Sequence, residues 1–72
     1  MYRIARFLLN DGTFLKAAIF NDGEKESLQD VDKINAKFTG NSLIAFQTET
    51  INGHFNPSNV LWYQIIYDDG NY

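Results

Sequence analysis

The sequence predicts a single α+β domain over residues 1–72: a curved antiparallel sheet of four or five strands with one helix, in the order β-β-α-β-β(-β). Three observations carry this reading. Asn10-Asp11-Gly12 joins two strand-like runs, and Asp-Gly between apolar runs is a strong hairpin signal. Leu28, Val31, Ile34 and Phe38 recur at the spacing of an amphipathic helix stripe. The stretch Val60 to Tyr67 is apolar on both faces of a strand, interrupted only by Gln64.

Taken in order, Tyr2 to Asn10 is the first strand and Thr13 to Phe20 the second. The second sets Leu15, Ala17 and Ile19 on one face and Phe14, Ala18 and Phe20 on the other beside Lys16, so neither face is clearly polar. Asn21-Asp22-Gly23 breaks the strand, and the helix follows. Glu24 and Glu26 at its start and Lys33 and Lys37 near its end complement the helix dipole. Asp22 or Ser27 is the expected N-cap, and Gly40, in the left-handed conformation, the stop.

Ser42 to Thr50 alternates Ile44, Phe46 and Thr48 against Leu43, Ala45 and Gln47, and Ile51-Asn52-Gly53-His54 reads as a second hairpin turn. The return strand is a stub at His54-Phe55, because Asn56-Pro57-Ser58-Asn59 makes a corner. In the last strand, alternation puts Val60, Trp62 and Ile66 on one face and Leu61, Tyr63, Ile65 and Tyr67 on the other. Asp68 to Tyr72 is a polar tail.

At 72 residues a single core is only marginally sufficient. The chain is 44% hydrophobic and 15% aromatic, too apolar for intrinsic disorder. It has no cysteine, which removes disulfides, thiolate metal sites and cysteine nucleophiles. The net charge of −3 mildly repels nucleic acid and anionic membrane. No apolar run reaches transmembrane length, and the start Met1-Tyr2-Arg3-Ile4-Ala5-Arg6 leads directly into a strand pattern, so a cytoplasmic protein is expected.

His54 is the single histidine, so a serine or threonine nucleophile would need that one base within hydrogen-bond reach. No enzyme and no cofactor are expected. Asp22, Glu24, Glu26, Asp30 and Asp32 are interleaved with Lys25 and Lys33 and read as a solvated helix face, with no metal site. One helix can roof only one face of the sheet. The remaining apolar surface calls for a second copy or a protein partner, with Trp62, Tyr63, Tyr67, Phe55 and His54 as the candidate contact residues.

The function expected is therefore a non-enzymatic binding or inhibitory protein, acting through an aromatic-rich surface as a homo-oligomer, in the manner of small phage-type anti-defence inhibitors. Two alternatives stand beside it. One is a small-ligand sequestering protein with its pocket between subunits. The other is RNA binding, with Arg3, Arg6 and Lys16 on phosphates and Tyr2, Phe14 or Tyr63 stacking a base. Over Phe46 through Ile65, a bent sheet with a tight corner before its last strand resembles the small-barrel architecture of Sm-like proteins, which form rings and bind RNA. The resemblance is architectural, and the helix falls between the second and third strands instead of at the N-terminus.

Overall fold

The first hairpin is built as its turn residues demand. β1 (Tyr2–Leu9) and β2 (Phe14–Phe20) pair antiparallel, with Leu8 opposite Phe14 and Ala5 opposite Ala17. Gly12 takes φ of 92°, which costs glycine little, and Asp11 accepts the Thr13 N–H at 2.8 Å. That bond and one from the Thr13 hydroxyl hold the Asp11 carboxyl below its ordinary range.

The computed structural model describes residues 2–68; Asp68, expected to begin the polar tail, instead ends the last strand opposite Tyr2, and residues 69–72 of that tail lie outside the described ones. With β3 (Ile44–Gln47), β4 (Asn52–Phe55) and β5 (Val60–Asp68), the five strands form one antiparallel sheet in the order β4-β3-β2-β1-β5, with a single helix among the described residues. None of the described residues forms a helix long and apolar enough to cross a membrane.

The helix, α1 (Val31–Thr39), begins later than the apolar stripe suggests. Its N-cap is Asp30, whose carboxylate accepts the N–H groups of Asp32 at 2.8 Å and Lys33 at 3.3 Å, and not Asp22 or Ser27. The preceding residues are drawn to the sheet instead: Leu28 donates its N–H to Ile19 at 2.7 Å, and the Gln29 side chain accepts the Arg3 N–H at 2.7 Å. Glu24 and Glu26 accordingly lie in a loop and share no helix face with Asp30. Gly40 ends the helix with φ of −89°, an ordinary value. A Cβ there would come 3.1 Å from the Ala36 carbonyl oxygen, so glycine is favoured by space and not by handedness.

β3 (Ile44–Gln47) and β4 (Asn52–Phe55) pair with Ile44 opposite Phe55 and Gln47 opposite Asn52. The turn between them is Thr48 to Ile51, not Asn52-Gly53. Thr48 donates its N–H to Ile51 at 2.7 Å, and its hydroxyl accepts the N–H of Ile51 at 3.1 Å. A two-residue turn at Asn52-Gly53 would set Pro57 opposite Thr48 inside the ladder, where proline has no N–H to give. A 3₁₀ turn (Pro57–Asn59) follows, capped by the Asn56 side chain accepting from Ser58 N–H at 2.9 Å.

β5 (Val60–Asp68) pairs with β1, but not as one regular strand. Trp62 lies opposite Leu8 and Val60 opposite Leu9, so Leu61 is an extra residue, a β-bulge. The bulge shifts the alternation. Val60 therefore packs on the core beside Tyr63 and Ile65 and does not share a face with Trp62 as strict alternation predicts.

The core lies between α1 and one face of the sheet. Ala5, Phe7, Ala17, Ile19, Ile44, Phe46 and Phe55 meet Ile34 and Phe38 of the helix, with Leu28 packed against them. Ile34 is 0% exposed. Ile34→Asp should unfold the chain, since a buried unpaired carboxylate costs more than a small domain holds in reserve; native circular dichroism for this variant would refute the packing. The cap is checked separately. Asp30→Ala should cost about 1 kcal/mol in urea unfolding, while Ser27→Ala and Asp22→Ala stay within about 0.5 kcal/mol of the parent; the reverse ranking would put the cap where the sequence suggests.

Candidate binding surface

Because paired residues share a face, the register fixes what stands on the side of the sheet away from the helix. Three rows can be read across it. Phe14, Leu8 and Trp62 form one, from β2 through β1 to β5; Lys16, Arg6 and Gln64 form the next; Ile4 and Ile66 form the third. The middle row is polar and its neighbours are apolar. Arg6 and Lys16 are the ionisable groups of these rows, and no carboxylate stands among them.

The first row is the most exposed. The rings of Phe14 and Trp62 lie 6.3 Å apart at 20°, reaching over Leu8 from the strands on either side. They are 54% and 45% exposed. Stacked aromatics gain about 0.5–1.5 kcal/mol beyond their burial, so the pair stays assembled while open to solvent. In the middle row the Arg6 guanidinium donates to the Gln64 side-chain oxygen, and Arg6 Nε is buried without a hydrogen-bond partner among the described residues. Ile4 is fully buried although it lies outside the helix-side cluster.

The sequence-derived contact residues divide between the two sides. Trp62 stands on the open face. Tyr63 belongs to the helix side: its ring stacks on Phe38 at 4.2 Å, and its hydroxyl donates to Asn35 at 2.8 Å. Phe55 is 7% exposed and stacks on Phe7 at 4.4 Å. Tyr67 is 56% exposed and carries Arg3, whose guanidinium lies 4.1 Å over the ring and donates to the phenol oxygen. Arg3 is thus on the face opposite Arg6 and Lys16, which share one row.

His54, on the far edge strand, comes within 3.8 Å of the Asp22 carboxylate, an ion pair when the imidazole is protonated. Both line a shallow groove of about 370 Å³ with Phe20, Lys25 and Gln47, and neither serine nor threonine lines it. No group of three or more histidines and carboxylates able to hold a metal ion occurs among the described residues.

Leu8 and Gln64 were not singled out from sequence as part of any surface. Strands running to Asn10 and from Thr13 would set Leu9 opposite Phe14; the observed turn takes in Asn10 as well, with the Leu9 N–H donated to Thr13, and that extra residue puts Leu8 there. The pairing of β1 with β5 was not legible either. Comparison with protein-family models, curated proteins and solved structures finds no match.

The division between core and open face can be measured. Phe55→Ala should destabilise by about 3–5 kcal/mol, and Trp62→Ala by less than half as much in the same denaturant titration. Equal losses would mean that Trp62 is core.

Proposed function

We propose that this chain is a non-enzymatic binding protein that engages another protein through the open face of its sheet and works as a homo-oligomer. The observation that supports this is the Phe14–Trp62 pair, two large rings about half exposed on a face that no helix covers. Aromatic residues in such a setting are the usual anchors of protein interfaces. By occupying a surface on its target, a chain of this kind inhibits without chemistry, which is how a phage-type inhibitor would act. The cysteine-free composition suits a cytoplasmic setting.

A bent sheet, as expected from the sequence, belongs to the same reading. Four residues connect the two edge strands, β4 and β5, and Phe7 of β1 stacks on Phe55 of β4 three positions away in the sheet. Bending of that kind turns the open face outward and offers the rings of Phe14 and Trp62 to a partner.

One observation favours a second reading. Arg6 and Lys16 lie in the row beside the aromatic pair, where phosphates would meet cations while bases stack on rings. Arg3 takes no part in it. Salt separates the two readings, because phosphate binding weakens steeply as salt rises and apolar association does not.

Immobilised protein should retain the same proteins from a cell extract at low and high salt, and a Phe14→Ser/Trp62→Ser variant with native circular dichroism should release them. Trp62 is the single tryptophan, so its fluorescence also reports titration with a generic single-stranded RNA. Salt-sensitive quenching by that RNA, with no protein retained, would replace the protein-binding reading by the nucleic-acid one.

A further inference from the structure

The sheet has two edges of very different character. β4 is four residues long and includes Asn52, Gly53 and His54. β5 is nine residues long, has a strand neighbour on one side only among the described residues, and from Val60 to Tyr67 contains no charge and no proline. Edge strands in soluble proteins are ordinarily blunted by shortness, lysine or proline, because a row of unpaired N–H and C=O groups is a template for another strand. β4 is blunted by its shortness. β5 is not, apart from the bulge at its first turn of alternation.

We infer that β5 pairs antiparallel with β5 of a second copy about a two-fold axis at Gln64, joining two five-stranded sheets into one of ten strands. This rests on the homo-oligomer reading above and names its surface. Register selects the axis. A two-fold perpendicular to the sheet keeps each face on its own side, so residues directly opposite must have the same parity. Centred on Gln64, Trp62 meets Ile66 of the second copy, and Tyr63 meets Ile65. Centred on Tyr63, Trp62 would face Gln64; centred on Ile65, Gln64 would face Ile66. Both mispair apolar with polar positions, and an axis at Ile66 would leave Val60 to Tyr63 without a partner in the described part of the strand; the Gln64 axis pairs like with like from Leu61 to Tyr67.

The same axis continues the rows of the open face. Lys16, Arg6 and Gln64 of one copy run into Gln64, Arg6 and Lys16 of the other, making a single polar stripe across six strands. The Phe14–Leu8–Trp62 row runs into the Ile66–Ile4 row of the second copy, so each apolar row gains what it lacks at the strand edge. Leu61 and Tyr67, 67% and 56% exposed, flank the ladder at opposite ends and close over it from the two copies. The binding face proposed above is thus completed by the partner copy, and charge complementarity is not needed to hold it, since the edge carries no charge from Val60 to Tyr67.

The absence of cysteine makes a direct test available. At a two-fold axis, residue 64 faces itself across about 4.5–5.5 Å between Cα atoms, within disulfide range. Gln64 is exposed, so Gln64→Cys should fold as the parent does. Under mild oxidation it should become a covalent dimer almost completely, while Thr50→Cys, exposed in the β3–β4 turn, should not. The unmodified chain should double in molar mass by light scattering as concentration rises, with a blue shift of Trp62 fluorescence. A dimer that Gln64→Cys fails to lock, or a mass above two chains such as a β4-to-β5 ring would give, overturns this interface and leaves the homo-oligomer. A strict monomer at every concentration overturns both.

Discussion

Phe7 is fully buried near the middle of β1, and its ring meets those of Phe55 at 4.4 Å, Phe38 at 5.7 Å and Phe46 at 6.3 Å. Those four residues come from β1, β4, α1 and β3, so one side chain ties the helix to strands that are not its neighbours. Tyr63 of β5 joins through Phe38. In a chain this short the area buried by aromatic rings replaces what disulfides or a larger core would supply elsewhere. The constraint has a cost for the other side of the sheet. With the helix and most of the aromatics committed to one face, Phe14 and Trp62 pair with each other across Leu8 on the opposite face.

The bulge at Leu61 links the core to the surface. Without it, Val60 and Trp62 would share a face, and the residue that packs on Leu9 would be turned outward. With it, Val60 and Tyr63 both face the core, and Trp62 faces out beside Phe14. The extra residue therefore lets one strand serve the core at its beginning and still present a tryptophan two positions later. It also sets where regular pairing can begin along the free edge, from Trp62 onward.

Much of this was legible in the sequence, and where it was not the reasons are physical. The Asp11-Gly12 turn and the apolar pattern around it specify the first hairpin, because a left-handed glycine and a side-chain cap act locally. The Ile34–Phe38 half of the helix stripe is equally local. The helix start was misplaced because the Leu28 N–H is claimed by Ile19, a partner from another element that no spacing rule reveals. Asn52-Gly53 resembled a turn, but the Thr48 hydroxyl closes an earlier one and keeps Pro57 out of the ladder. Alternation along the last strand separates Trp62 and Ile66 from Tyr63, Ile65 and Tyr67, and the pairing with β1 keeps that division; Val60 changes sides because of the bulge, and the place of the helix, which no spacing rule reveals, puts Tyr63 against the core and leaves Trp62 exposed.

The outer edge of β5 is either bare in solution or paired with a second copy. Residue-resolved amide hydrogen exchange as a function of protein concentration separates the two most directly, because alternate amides of Trp62 to Tyr67 point to β1 and the others point away. If that edge is the joining surface, the outward amides become as slow as the inward ones when concentration rises, and no comparable change occurs in β4. Outward amides that exchange at the rate of an open edge at all concentrations, while the inward set stays protected, would contradict it.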